Sequence, residues 1–72
     1  MKEIKDDPVF ITGMEAFLMG HWAVAKDSFL LLDKHFPDNN HITFILGNIF
    51  YSHGDLNKSI EYYKKTIGLC KD

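Results

Sequence analysis

The stretch Leu46-Gly47-Asn48-Ile49-Phe50-Tyr51-Ser52-His53-Gly54-Asp55-Leu56-Asn57-Lys58-Ser59-Ile60-Glu61-Tyr62-Tyr63 decides the fold. Apolar residues recur in it at helical spacing on both sides of Gly54-Asp55, a turn pair. It reads as the end of one amphipathic helix, a tight turn, and the start of a second. Glycine breaks the first helix and aspartate can cap the second.

The first of these helices spans about His41 to His53, with Thr43, Leu46, Gly47 and Phe50 on one face and Phe44, Asn48 and Tyr51 on the other. The second runs from Leu56 to about Leu69, with Leu56, Ser59, Ile60, Tyr63 and Ile67 expected inward. Gly68 costs about 1 kcal/mol in a helix interior, so fraying is expected from there. Upstream, Pro37-Asp38-Asn39-Asn40 is a turn cluster, and Asn39 or Asn40 can cap the helix that follows. Proline also stops the helix before it, which starts near His21 or Trp22 and ends at Phe36. Its inward stripe is Trp22, Ala25, Phe29 and Leu32. The earliest helix starts at Asp6 or Asp7, with Pro8 in the first turn, and Gly20 ends it. Val9, Thr12, Gly13 and Ala16 share one of its faces, and Phe10, Met14 and Phe17 the adjacent one. Met1 to Lys5 reads as a polar, frayed lead-in. The predicted fold is all-α: four antiparallel helices in two hairpins, forming one domain over residues 1–72.

Displacing the chain by 34 residues superposes Phe10 on Phe44, Ile11 on Ile45, Gly13 on Gly47, Gly20 on Gly54 and Asp38 on Asp72. Ala25 then falls on Ser59, and Phe29 on Tyr63. Glycine is unfavourable in mid-helix unless a partner helix must come close, so Gly13 and Gly47 mark close approaches. Ala25 and Ser59 are the small residues expected to meet them, with Phe29 and Tyr63 filling the space beside.

This spacing resembles the tetratricopeptide repeat. In the second copy, about residues 40–72, Leu46-Gly47, Phe50, Gly54-Asp55, Ser59 and Tyr63 match the family's Leu-Gly, Tyr, turn glycine, small residue and Phe. In the first, about 6–39, Gly13, Gly20, Ala25, Phe29 and Pro37 match. Val9 and Thr43 depart from it where the family often has Trp. Thr12 replaces its Leu, Ala16 its Tyr, and Lys71 its closing Pro. The resemblance implies hairpins stacked as a short right-handed superhelix, whose inner face is lined by the first helix of each hairpin.

It also implies a non-enzymatic module that binds a protein or peptide partner on that inner face. The corresponding positions are Asp7, Phe10, Met14 and Phe17 from the first copy, and His41, Phe44, Asn48 and Tyr51 from the second. Family members that clamp a terminal carboxylate use Lys and Asn there. Here Phe10, Met14 and Ile45 stand at those polar sites, which argues against such a clamp. An aromatic groove of Phe10, Met14, Phe17, Phe44 and Tyr51 suits apolar anchors from a helix or extended peptide. The alternative is that these rings are plain core.

Repeats of this kind bury their faces against neighbours, and about three are usually needed. No capping helix follows the fourth helix, so Ile49, Tyr62, Ile67 and Leu69 are expected at an open edge, with Leu30 or Leu31 adding outer apolar surface. A longer array, self-association or marginal stability alone would each answer this. Self-association is the favoured expectation, including a hairpin swap across Gly54. The second functional reading is therefore a structural unit that oligomerises through its uncapped repeat.

Composition narrows the classes further. A chain of 72 residues buries only roughly 60% of its unfolded surface. Its aromatic fraction, 14%, is more than so small a chain easily buries. All eight basic residues are Lys and the net charge is −2, so no guanidinium fork or basic stripe suits nucleic acid. No apolar run reaches the length of a membrane span or a signal-peptide core. A single cysteine, Cys70, excludes an intrachain disulfide and fits a reducing compartment, so the expected location is cytoplasmic. The histidines His21, His35, His41 and His53 lack ligand spacing for a metal. Cys70 lacks an evident base, and Asp6-Asp7 and the Asp27/Asp33 pair read as cap and helix surface. Neither catalytic residues nor a cofactor are expected.

Overall fold

A computed structural model describes residues 3–70. The expectations placed on Met1, Lys2, Lys71 and Asp72 lie outside the described residues. The chain is all-α: α1 (Pro8–Leu18), α2 (Trp22–His35), α3 (Asn40–His53) and α4 (Leu56–Cys70), preceded by a single 3-10 turn, Ile4–Asp6. That turn departs from the expected frayed lead-in. Ile4 packs against the core and so fixes the segment.

Each boundary has a local cause. Asp7 caps α1 by accepting the Val9 N–H at 2.9 Å, and Pro8 takes the first-turn position where its missing N–H is harmless. Asn39 caps α3, its Oδ1 accepting from His41 N–H at 2.9 Å and Ile42 N–H at 3.2 Å. Replacing it with alanine leaves both donors without this partner. Asn39→Ala is expected to cost about 1 kcal/mol, read as a lower urea midpoint with an unchanged slope. Asp55 receives the Lys58 N–H at 3.2 Å at the start of α4. Gly20 (φ +77°) and Gly54 (φ +93°) take the left-handed conformation that closes α1 and α3.

α1 lies against α2, α3 against α4, and α2 against α3, so two hairpins stack side by side. The 34-residue period holds at the level of single hydrogen bonds. His21 N–H donates to Ala16 O and Asp55 N–H to Phe50 O, both at 2.8 Å. Gly20 N–H donates to Phe17 O and Gly54 N–H to Tyr51 O, both at 3.2 Å. The ring pair Phe10–Phe29, 5.9 Å between centroids, recurs as Phe44–Tyr63 at 6.0 Å.

The core is Ala16, Ala25, Phe29, Leu32, Ile42, Leu46, Ile49 and Phe50. Close approach is real at both mid-helix glycines. A Cβ on Gly13 would lie 2.9 Å from Phe29 Cε2 and Ser28 Cβ, and one on Gly47 would lie 2.7 Å from the Tyr63 ring. Phe29 and Tyr63 fill the space beside the two glycines as expected, with Ser28 rather than Ala25 nearest the Gly13 position. Ser59 meets Gly47 as expected, donating its hydroxyl to the Gly47 carbonyl at 2.8 Å.

Two expectations for faces are overturned. On α4, Leu56, Ile60 and Ile67 are exposed, while Ser59, Tyr62 and Thr66 turn toward the molecule. Polar pairing explains the choice, since Thr66 bonds Thr43 across the hairpin at 2.8 Å and Ser59 bonds the α3 backbone. The Tyr62 ring stacks on Phe50 with a 5.5 Å centroid separation. Ile49 is fully buried rather than at an open edge, because it faces the first hairpin. Leu69 is half-buried, Leu30 is half-buried and Leu31 is exposed. α4 also runs unbroken through Gly68 instead of fraying there.

Candidate functional site

The residues expected to line a groove come from α1 and α3, the first helix of each hairpin. Their spacing by three and four residues sets them on one side of each helix. On α1, Phe10, Met14 and Phe17 are half-buried and rest on the core. Phe10 meets Phe29 nearly edge-on, and Phe17 meets Trp22 at 5.7 Å and 70°. These three side chains are thus partly core and partly surface. On α3, Phe44 and Tyr51 are open, at 50% and 64% exposure, and His41 is exposed beside them. Asn48 lies between Phe44 and Tyr51 along the helix and is half-buried.

Asn48 is held by a residue that the groove reading did not include. The Tyr63 hydroxyl donates to Asn48 Oδ1. That bond fixes the amide and leaves its two N–H bonds as the donors this face offers to a peptide carbonyl. Tyr63 also supports Phe44 from behind, since the two rings lie 6.0 Å apart. Part of the signal was present in the sequence: Asn48 lies six residues before Gly54 and Tyr63 eight after Asp55, so a hairpin turning at that pair brings the two near each other. Trp22, beside Phe17, is the other ring missing from the expected set.

The face is uncharged apart from Asp7, whose carboxylate is occupied by the α1 cap. Charge is better developed at the opposite side of α4. There burial raises the Tyr62 phenol above its ordinary value, and the carboxylates of Asp33 and Glu61 push the same way. The Tyr62 hydroxyl, carried on the ring that stacks on Phe50, is therefore neutral at physiological pH.

Two depressions lie away from the aromatic row. One of about 340 Å³ opens between α1 and α2 and is lined by Pro8, Val9, Thr12, Asp27, Ser28 and Leu31. Another, about 600 Å³ and polar, follows the α3–α4 turn from His53 to Asn57. Among the described residues, no three of His, Cys, Asp and Glu come together in a group able to hold a metal ion. Cys70 is exposed, and its sulfur accepts from the Asn40 amide at 3.1 Å. No helix among the described residues is long and apolar enough to cross a membrane. No protein-family model, curated protein or solved structure matches this chain.

Proposed function

We propose that the chain is a non-enzymatic protein-interaction module of tetratricopeptide type. It takes an apolar helix or extended peptide of a partner protein on the row formed by Phe10, Met14, Phe17, Phe44 and Tyr51. The observation that carries this reading is the exposure of Phe44 and Tyr51, at 50% and 64%, on either side of an amide held in place by Tyr63. Large aromatic side chains left open in a row are what a docked apolar anchor covers. A fixed amide beside them can bond the backbone of an extended segment. Phe10, Met14 and Phe17, half-buried on α1, are the first-hairpin part of the proposed row. His41 stands at its edge as a further hydrogen-bonding group. The recurrence of hydrogen bonds and ring pairs at 34 residues supports the repeat type. The lone exposed thiol supports a reducing, cytoplasmic setting.

An array of short apolar and aromatic peptides tests the reading. Phe44→Ala and Tyr51→Ala are each expected to weaken the peptides that bind by about tenfold or more, the size of a lost hot-spot side chain. Helix content should not change, because both side chains are largely outside the core. Unaltered affinity in both variants would show that the row is not the docking surface.

A further inference from the structure

The two outer faces of the molecule are the repeat-related halves of a junction that already exists inside it. At the inner junction α2 lies against α3, and Ile42, Leu46 and Ile49 are fully buried. Advancing α2 by one period of 34 residues gives α4. Trp22, Lys26, Phe29 and Asp33, all buried or half-buried on α2, become Leu56, Ile60, Tyr63 and Ile67 on α4. Three of these are open: Leu56 is 55%, Ile60 50% and Ile67 63% exposed. Phe29 and Trp22 owe part of their burial to Phe10 and Phe17 of α1, as Tyr63 does to Phe44 of α3. Leu56, Ile60 and Ile67 nevertheless stay open where their α2 counterparts are half-buried, and α4 is the more apolar of the two there.

Stepping α3 back by the same period gives α1. Ile42, Ile45, Leu46 and Ile49 become Pro8, Ile11, Thr12 and Glu15, all exposed. The 340 Å³ depression lies on this face, lined in part by Pro8, Val9 and Thr12. Their equivalents in the second hairpin, Ile42, Thr43 and Leu46, have no exposed surface. One end of the molecule thus carries a helix row of the kind that α2 presents. The other end carries an unfilled seat of the kind that α3 and α4 present to it.

Charge makes the two ends complementary. Leu30 on α2 and Ile49 on α3, both part of the inner junction's apolar packing, correspond to Lys64 on α4 and Glu15 on α1. Asp27 lines the seat and Glu15 shares the exposed α1 face with Pro8, Ile11 and Thr12, while Asp6 lies in the turn that leads into α1 and the nearby Lys5 is paired with Glu3. Along α4 stand Lys58, Lys64 and Lys65, with Glu61 the counter-charge. We infer that α4 of one copy seats against the α1–α2 face of a second copy, head to tail, in the register of α2 on α3. Each hairpin stays intact, and no segment is exchanged. Because the two surfaces differ, the contact is heterologous and can propagate into rings or filaments. The seat is more polar than α3, so the association is weaker than the inner junction and falls with added salt.

Complementation between blocked copies tests this by sedimentation. The native chain is expected to gain mass with concentration, from 8.3 kDa upward. Ile60→Glu blocks the α4 row and Thr12→Glu blocks the seat, and each alone should remain a monomer. Mixed in equal amounts they should form a 1:1 dimer and stop, since such a pair has one usable junction. Ile67→Glu and Ile11→Glu, also on exposed helix surface, replace either variant that loses helix content. A native chain that stays monomeric to millimolar concentration overturns the inference, and so does a mixture that stays monomeric. Blocked variants that associate like the native chain overturn it as well. Phe44 and Tyr51 are unaltered throughout, so peptide binding by the aromatic row stands or falls separately.

Discussion

Phe29→Ala is expected to leave the protein largely unfolded at 37 °C. Phe29 has no exposed surface. Its ring fills the space over Gly13 and meets the edge of Phe10 at 5.9 Å. It therefore joins α1 to α2, and it belongs to the cluster that includes Ile42, Leu46 and Ile49 of the second hairpin. Truncating a buried phenylalanine costs about 3–5 kcal/mol, because lost burial and an unfilled cavity add. Small domains hold about 5–15 kcal/mol in all, and a chain of this length belongs near the lower limit. The loss then approaches the whole stability. A melt followed by far-UV circular dichroism should fall by roughly 15 °C or more, given about 4–8 °C per kcal/mol at this size. The repeat-related Tyr63→Ala should fall much less, since Tyr63 is half-buried and part of its ring already meets water. Equal shifts at the two positions would mean that the hairpins share their core differently from the packing described above.

The contrast between these two rings also shows what was readable in the sequence. Both stand one period apart, both pair with a glycine, and both were recognisable as packing residues from that alone. The turns were equally plain, because Gly20 and Gly54 permit the left-handed conformation that other residues avoid and Pro37 fixes its own φ. The inward face of α4 was not. Leu56, Ile60 and Ile67 share a helical stripe with Ser59, yet of these Ser59 is buried as expected and the other three are exposed, while Thr66 joins Ser59 at the inner positions. What selects them is a carbonyl on Gly47 and a hydroxyl on Thr43, partners supplied by another helix. Hydropathy ranks Ser and Thr below Leu and Ile, so it points to the wrong face whenever polar partners decide. Ile49 was misplaced for a related reason. A residue on the back of a helix is buried or open depending on which hairpin stacks against it, and neighbour packing is not encoded in the helix's own period. For the aromatic row, Phe44, Asn48 and Tyr51 were readable as one surface of α3. The bond from Tyr63 that fixes Asn48 required the hairpin geometry.

Alanine at the helix glycines is expected to move stability in opposite directions, and the order is set by what each new methyl would touch. Propensity alone predicts a gain of about 1 kcal/mol at any helix-interior glycine. Gly68 should show that gain, because nothing lies within 4 Å of its would-be Cβ. Gly13 should show a loss. Its Cβ would come 2.9 Å from Ser28 Cβ, an atom fixed to the α2 backbone, and 2.9 Å from a Phe29 ring that has no room to turn. The hairpin must open to admit it, and overpacking of this kind costs about 1–3 kcal/mol. Gly47 should fall between the two. The obstacle there is the Tyr63 ring at 2.7 Å, and Tyr63 is half-buried, so it can swing outward. In doing so it gives up its bond to Asn48 and its place behind Phe44. The expected order of melting temperature is Gly68→Ala above the native chain, Gly47→Ala below it, and Gly13→Ala lowest. A Gly13→Ala chain that melts above the native one would contradict the close approach of α1 and α2. Gly47→Ala carries a second expectation that the other two lack: with Tyr63 displaced, peptides bound through Asn48 should weaken even at temperatures where the variant is fully folded. That loss, measured beside unchanged binding by Gly68→Ala, separates the support of the aromatic row from the stability of the hairpin beneath it.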